Sequence, residues 1–401
     1  MRIDSFAQFG GRHPEVGPLR NLFTFHGITA PHTGQPFSEA FLFGTGGGIG
    51  FAYFLFERRG SHPIYLGTRI HTRETERPEF FQTICARLGV RLVVQNSSSA
   101  TAALGNLTKT LAQGQPVLVW TDAARLPYTG LSGFGSFQHV VIAYGLDADK
   151  GVVDLSDRPS SPVTVTTDEL RRARETSWSP KYRAATVEAP AAVSDPRTAA
   201  LEGIRSCVEQ MTTGLGIANF GLRGMQKWAT MLLSSKEKKS WLKIFPPGGG
   251  LYCALFSIYE QICSRGAVGA ACRTLFADFL QESAELLAQP ALREVAAQYR
   301  ELERSWRELA SAHLPDSVPE FTELRRMAGE RMCLFETEGA GAQDRLRSVR
   351  ERVEEIERQM SAEFPLDQGQ VKVLLGELRQ KIQTVREAEA GAIEALNSAL
   401  R

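Results

Sequence analysis

The chain changes character near residue 190, and this change sets its fold class. Before that point, short apolar runs of strand length recur, including PIYLG (63–67), RLVVQN (91–96) and PVLVW (116–120). After residue 198, apolar residues recur only at helical spacing. The pattern predicts an α+β protein with a largely antiparallel sheet in its N-terminal domain and an all-helical domain after it.

The same patterns predict where the chain divides. Helices are predicted over 75–88 and 100–113, between the strand-like runs. A stretch rich in Pro and Ala, EAPAAVSDPRT, indicates a linker before the helical part. The predicted segments are an α/β-type domain (1–187), the linker (188–198), a helical domain (199–340) and a C-terminal helical hairpin (341–401).

The last segment predicts two charged amphipathic helices, over 343–364 and 370–400, with a turn at Pro365. Each helix carries a narrow apolar stripe, which must be covered by another surface. Packing on the same chain is the favoured prediction. A homodimer through these helices is the alternative.

Composition excludes several classes of protein. The 46 basic and 45 acidic side chains nearly balance, so no nucleic-acid partner is predicted. The sequence holds no apolar run near the roughly 18 residues of a membrane span and no apolar N-terminal signal, which favours a cytoplasmic protein. Its cysteines and histidines lack paired ligand spacing, so neither a metal nor another cofactor is predicted.

A histidine and an aspartate lie on neighbouring predicted strands. His139 opens HVVIAYG (139–145), and Asp157 ends VVDLSD (152–157). Because side chains alternate along a strand, Asp154 and Asp157 face opposite sides. Asp157 is the better candidate for orienting the imidazole, and Asp154 is the alternative. Such a pair can move protons as a general acid and base.

The residues before the first predicted helix complete a site that resembles those of papain-like cysteine enzymes. Such enzymes need a thiolate at a helix N-terminus, a histidine to take its proton and a carboxylate or amide to orient the histidine. Here the corresponding helix is predicted to begin at Pro14, which has no nucleophilic atom. Gln8, six residues earlier, stands where papain-like enzymes place their oxyanion-hole glutamine.

Longer runs resemble the butirosin biosynthesis protein H family, including the helical domain of unknown function that usually follows its papain-like domain. In that family the first run normally reads His-Cys-Glu, whereas here it reads His13-Pro14-Glu15. The resemblance implies transfer of an amino-acyl group from a carrier-protein thioester to an amine. The runs are GGRHPEVGPLRNLFTFHGI (10–28), FSEAFLFGTGGGIGFAYFLFE (37–57), TDAARLPYTG (121–130), QHVVIAYGLD (138–147), NFGLRGMQKW (219–228), SWLKIFPPGGGL (240–251) and RTLFADFLQESAELL (273–287).

Nine residues are candidates for the site. His139 and Asp157 are predicted to be the acid–base pair, His13 a second acid–base group and Gln8 the oxyanion donor. The N–H groups of residues 15–17 are expected to be open to a carboxylate or oxyanion. Each candidate also has an ordinary structural explanation, as a hydrogen-bonded histidine, a helix-terminal acid or a polar loop residue. The predicted substrate contacts are Pro14, Glu15, Glu39, Asp122 and Tyr128.

Three classes of function remain open. The first is an enzyme that uses the His–Asp pair, without a cysteine nucleophile, for condensation, cyclisation or dehydration of an amino-acyl or peptide substrate. The second is an acyltransferase that takes an amino-acyl group directly from a carrier-protein thioester. The third is a non-catalytic protein that binds a carrier protein, a peptide or a partner enzyme. The first is favoured, because a non-catalytic scaffold would not need an acid–base pair.

Overall fold

A computed structural model shows the sheet and helices that carry these residues. It describes residues 1–58, 60–67, 79–131, 138–175, 181–213, 216–263 and 270–400. The strands are β1 (Ala52–Leu55), β2 (Ile64–Gly67), β3 (Arg91–Gln95), β4 (Val117–Asp122), β5 (Gln138–Asp147), β6 (Val152–Ser156), β7 (Val163–Thr166) and β8 (Ala184–Glu188).

Helices follow one another after the last strand, as the sequence predicted. The first half of the chain holds α1 (Val16–Phe25), α2 (Glu39–Thr45), α3 (Phe80–Arg87), α4 (Ala100–Ala112) and α5 (Thr167–Arg174). The second half holds α6 (Pro196–Thr212), α7 (Gly221–Leu233), α8 (Trp241–Ile244), α9 (Gly249–Cys263), α10 (Arg273–Leu286), α11 (Ala291–Ala312), α12 (Pro319–Glu338), α13 (Gln343–Ala362) and α14 (Gln368–Ser398). Part of the helix predicted over 75–88 lies outside the described residues.

The main sheet has six strands in the order β3-β8-β4-β5-β6-β7, and every neighbouring pair is antiparallel. This confirms the α+β fold class. Strand β5 is buried from His139 to Leu146 because both of its faces are covered, as its nearly continuous apolar run indicates. Helices α1 and α4 both contact this strand.

Contacts divide the chain into two compact units that are discontinuous in sequence. Unit 1 consists of residues 1–42, 80–196 and 329–352, and it contains the six-stranded sheet. Unit 2 consists of residues 43–79, 197–328 and 353–401, and it contains the β1–β2 hairpin and most of the helices. The contiguous domain limits remain predictions, because units defined by contacts need not coincide with sequence domains.

The C-terminal helix α14 packs on α7 and α11 within unit 2. Its predicted apolar stripe is buried there, as is the stripe on α13 that begins at Val353. Asp367 and Gln370 form a capping box that fixes where α14 begins. The apolar stripes are therefore covered within the chain, and the homodimer remains a prediction.

Charge is spread along the longest helices. Helix α14 spans 31 residues, and its exposed side carries Lys, Arg and Glu. Among the described ranges, no helix is both long enough and apolar enough to cross a membrane.

Candidate active site

Pairing of β5 with β6 brings His139 and Asp157 to the same face of the sheet. Ile142 lies opposite Ser156 in this register. His139 is three residues before Ile142, and Asp157 directly follows Ser156. Because side chains alternate along a strand, both residues face the side opposite to that of the Ile142–Ser156 pair.

The imidazole and the carboxylate are in direct contact. Nε2 of His139 lies 2.8 Å from each carboxylate oxygen of Asp157. The Asp157 side chain is 0% exposed and that of His139 is 6% exposed. A buried carboxylate accepts hydrogen bonds, so the imidazole of His139 carries its hydrogen on Nε2 and has its lone pair on Nδ1. Nδ1 makes no hydrogen bond within the described part of the chain.

Two further donors hold Asp157. The Tyr128 hydroxyl donates to Oδ2 at 2.9 Å, and the Arg158 backbone N–H donates to Oδ1 at 2.7 Å. Burial acts to raise the pKa of Asp157, but the His139 charge and these hydrogen bonds outweigh burial and lower it. Burial and the neighbouring carboxylate raise the pKa of Tyr128, so the phenol stays a neutral donor. The carboxylate is therefore held ionised and in one orientation.

Asp154, the alternative partner, is engaged elsewhere. Its carboxylate accepts a hydrogen bond from the Thr164 hydroxyl at 2.9 Å and lies 3.8 Å from the Arg2 guanidinium. Asp157 is thus the carboxylate in contact with His139, as strand alternation predicted.

Helix α12 supplies a second layer behind Asp157 that the sequence did not reveal. The Phe335 ring stacks on Tyr128, with centroids 6.2 Å apart. The Arg158 guanidinium lies 5.3 Å from the centroid of the same phenylalanine ring and pairs with the Glu336 carboxylate. All of these residues belong to unit 1. Phe335 and Glu336 thereby support the two groups that donate to Asp157.

Just before α1, His13 accepts hydrogen bonds from the backbone at the helix start. Its Nδ1 accepts the N–H groups of Glu15 at 3.1 Å and Val16 at 3.3 Å, and its carbonyl accepts that of Gly17. The prediction that the N–H groups of residues 15–17 are open to an anion is therefore wrong. Helix α1 begins at Val16, two residues after Pro14, and its N-cap is Glu15.

Glu15 links this helix start to the strand that carries His139. Its Oε1 accepts a hydrogen bond from the Gln138 side chain at 3.3 Å, and Gln138 directly precedes His139. Glu15 and Pro14 are both half-buried. Pro14, which stands where the related enzymes have their cysteine, is thus directly followed by Glu15, which contacts the strand of His139.

Glu39 braces the loop before α1. Its carboxylate accepts the Arg12 N–H at 3.0 Å and the His13 N–H at 2.8 Å. A carboxylate in this place fixes the backbone on either side of residue 12. Its contact with substrate remains a prediction.

Gln8 lies beside the end of β6. Its backbone carbonyl accepts a hydrogen bond from the Ser156 hydroxyl at 2.7 Å. Two residues later, the Gly10 N–H donates to the carbonyl of Asp157. The Gln8 side chain is half-buried, and its amide makes no hydrogen bond among the described residues. The backbone at Gln8 is thus fixed beside the strand that leads to Asp157, and the role of its amide as an oxyanion donor stays a prediction.

Two of the predicted substrate contacts, Tyr128 and Asp122, make hydrogen bonds inside the protein. Tyr128 is 0% exposed, and its hydroxyl donates a hydrogen bond to the Asp157 carboxylate. Asp122 is 2% exposed, and its carboxylate caps the short turn after β4 by accepting the Ala124 N–H. Both side chains are enclosed in this structure, and their contact with substrate stays a prediction.

No thiol replaces the missing one at the helix start. Cys85 is the first cysteine in the chain, and it is buried. Burial raises its pKa to about 12, which keeps it in the unreactive thiol form. Cys253 is exposed and Cys263 is half-buried. In the described part of the chain, no three metal-binding side chains cluster.

Comparison with known proteins identifies the family. The pattern of the family described as "Butirosin biosynthesis protein H, N-terminal" matches residues 13–158, and that of "Domain of unknown function (DUF4872)" matches residues 168–331. No curated protein matches the chain. The two matched regions together contain His13, His139 and Asp157, whereas Gln8 lies outside both. The chain belongs to the butirosin biosynthesis protein H family, which points to an acyltransferase-like role in natural-product biosynthesis.

Proposed function

We propose that this protein is a natural-product biosynthesis enzyme that uses His139 as a general base without forming a covalent acyl-enzyme. Its substrate would be an amino-acyl or peptide compound that undergoes condensation, cyclisation or dehydration. The observation that carries the proposal is the contact of His139 Nε2 with a buried, ionised Asp157, which leaves Nδ1 as the free basic nitrogen.

Proton transfer follows from this arrangement. A substrate amine attacks a carbonyl carbon, and Nδ1 of His139 takes the proton that the nitrogen loses as the C–N bond forms. Asp157 stabilises the resulting imidazolium and keeps its ring in place. The imidazolium then returns the proton to the departing oxygen or sulfur when the tetrahedral intermediate collapses. Atoms balance with loss of water or of a thiol.

Gln8 is proposed to stabilise the negative oxygen of that intermediate. Its amide is unengaged within the described residues, and its backbone is fixed beside β6 by Ser156. One such donor contributes on the order of 10²–10³ in rate in enzymes with an oxyanion hole. His13 is less suited to a second acid–base role, because its Nδ1 already accepts two backbone N–H groups.

Direct acyl transfer from a carrier protein is the second candidate, favoured by the family match. In that reaction the base would be the same, but the amine would come from a separate acceptor and the leaving group would be the carrier thiol. The products distinguish the two reactions.

The test is incubation with candidate amino-acyl, peptide and carrier-bound substrates, followed by mass spectrometry. Loss of water from a single substrate indicates cyclisation or dehydration, and release of the free carrier thiol indicates acyl transfer. We expect His139→Ala to lower kcat by on the order of 10²–10⁴ while its circular dichroism spectrum stays that of the wild type.

Alkylation provides the control for a covalent mechanism. Native treatment with iodoacetamide should leave turnover intact. Loss of turnover on labelling one cysteine, prevented by substrate, would contradict the proposal and favour a thiol mechanism. Near-normal turnover in His139→Ala would contradict the base assignment. Absence of turnover with every substrate class, together with tight binding of one, would favour the non-catalytic alternative.

A further inference from the structure

Two consecutive residues near the end of α12, Phe335 and Glu336, contact both residues that donate hydrogen bonds to Asp157 from its surroundings. The Phe335 ring stacks on the Tyr128 ring at an interplanar angle of 16°, and the Arg158 guanidinium carbon lies 5.3 Å from its centroid. Glu336 pairs with the same guanidinium. One turn of this helix therefore acts on both carboxylate oxygens, since Tyr128 donates to Oδ2 and the Arg158 N–H donates to Oδ1.

The Arg158 side chain depends on α12 for its position. It is 5% exposed, so its guanidinium is largely withdrawn from water. Among the described residues, Glu336 is the carboxylate that pairs with it. Removing one partner of a buried ion pair leaves an uncompensated charge, which is strongly unfavourable. Loss of the Glu336 charge should therefore draw the guanidinium toward water and displace the backbone N–H that donates to Asp157.

The turn after α12 packs closely on the two loops that carry these donors. Gly339 has a φ of +53°, and a Cβ there would lie 3.2 Å from the side chain of Pro159, next to the arginine. Gly130, two residues after the tyrosine, has a φ of +66°, and a Cβ there would lie 2.8 Å from Leu346. Glycine adopts this backbone conformation without strain and leaves room for the close approach. All four residues belong to unit 1.

We propose that Phe335 and Glu336 are positioning residues for the His139–Asp157 pair, an inference that rests on the function proposed above. They act through the two donors, which orient the carboxylate, and the carboxylate in turn orients the imidazole. Neither residue lies within the regions that the family patterns match, residues 13–158 and 168–331. The acid–base pair is thus supported by a segment of the chain beyond those regions.

The first measurement separates kcat from KM with any substrate that the protein turns over. Phe335→Leu keeps an apolar side chain but removes the flat ring. We expect it to lower kcat by about 10- to 100-fold, because misplacing catalytic groups by about 1 Å can cost about 10² in rate. KM should change by less than about twofold, since substrate binding is not altered. Glu336→Gln should lower kcat by about three- to fivefold, because its ion pair is partly exposed.

The second measurement does not depend on turnover. Nitrogen NMR spectroscopy of protein with isotope-labelled histidine reports which ring nitrogen of His139 carries hydrogen, and the His139 signals are assigned by their absence in His139→Ala. The wild type should show a single tautomer with its hydrogen on Nε2, held by Asp157. Phe335→Leu and Glu336→Gln should broaden this N–H signal or add the other tautomer, because the carboxylate is held less firmly.

Matched controls carry the same substitutions elsewhere on the chain. Phe321→Leu changes a 0% exposed phenylalanine on the same helix, whose ring lies near that of Phe364. Glu338→Gln removes a carboxylate that pairs with the exposed Arg345. Both controls should leave kcat and the His139 ring signal unchanged.

The proposal is wrong if a folded Phe335→Leu keeps the wild-type ring signal or, with a substrate that is turned over, the wild-type kcat. It is also wrong if Phe321→Leu shows equal losses, because general destabilisation would then explain both. If Phe335→Leu does not fold, values for Glu336→Gln equal to those for Glu338→Gln would overturn it. None of these results changes what His139→Ala does to turnover, so the inference can fail while the proposed reaction stands. If no substrate is turned over, the ring signal still decides.

Discussion

Replacing Tyr128 by Phe removes one oxygen atom and tests how Asp157 is held. The hydroxyl donates to Oδ2 at 2.9 Å, and both side chains are enclosed. A hydrogen bond to a charged group contributes about 1.5–3 kcal/mol to stability. The ring itself should stay in place, because it stacks on Phe335. We therefore expect Tyr128→Phe to lower the free energy of unfolding by about 1.5–3 kcal/mol.

Tyr299 offers a matched control. Its side chain is also 0% exposed, and its ring packs against the ring of Phe276, with the two ring centroids 4.9 Å apart. Its hydroxyl, however, has no hydrogen-bond partner among the described residues. Removing an unsatisfied buried hydroxyl costs nothing and can stabilise. Tyr299→Phe should therefore change the free energy of unfolding by less than about 0.5 kcal/mol or increase it.

The assay is urea unfolding of five proteins followed by circular dichroism: wild type, Tyr128→Phe, Asp157→Asn, the Tyr128→Phe/Asp157→Asn double variant and Tyr299→Phe. If the hydroxyl acts on the carboxylate charge, its removal should cost only about 0.5–1.5 kcal/mol once Asn replaces Asp157. An equal cost in both backgrounds, or a cost for Tyr128→Phe no larger than that for Tyr299→Phe, would refute the reasoning.

Two further predictions concern other parts of the chain. Burial lowers the pKa of His313 to about 4, so the unfolded chain binds a proton near pH 6.5 that the folded chain excludes. The free energy of unfolding should therefore fall by about 3 kcal/mol as the pH drops from about 6.5 to about 4. His313→Gln should make this pH dependence flatter in urea titrations. An unchanged slope would contradict the prediction. Pro14→Cys should give a thiol that iodoacetamide alkylates faster at neutral pH than a free cysteine of pKa about 8.5, and His139→Ala should remove the acceleration. Equal slow rates with and without His139 would mean that Nδ1 does not reach residue 14.

The sequence predicted the parts of the site that depend on local periodicity. Strand alternation separated Asp157 from Asp154, and the contact of Asp157 with His139 agrees with that choice. The apolar run beginning at His139 predicted a strand, which is β5. Alternation sets which face a side chain takes, so it can be read directly from neighbouring residues.

The parts that depend on distant contacts could not be predicted. Arg158 and Glu336 are 178 positions apart in the chain, and an amphipathic pattern on α12 does not say which surface it covers. Tyr128 lies in a loop, where side chains are usually exposed, yet it is buried and its ring stacks on Phe335. The hydrogen bonds that His13 Nδ1 accepts from the N–H groups of Glu15 and Val16 depend on a backbone turn that no sequence pattern shows.

The way Asp157 is held bears on whether the chain is an enzyme. Burying a charged pair costs several kcal/mol per ion, and apolar residues of similar volume often stabilise a fold as well or better. Stability alone therefore does not account for a carboxylate that receives three hydrogen bonds and orients a histidine. A general base needs such an orientation, which supports the proposed enzyme over a binding scaffold. Since proline offers no nucleophile, the reaction we propose is one in which the substrate supplies its own attacking atom and the protein supplies only the proton transfer.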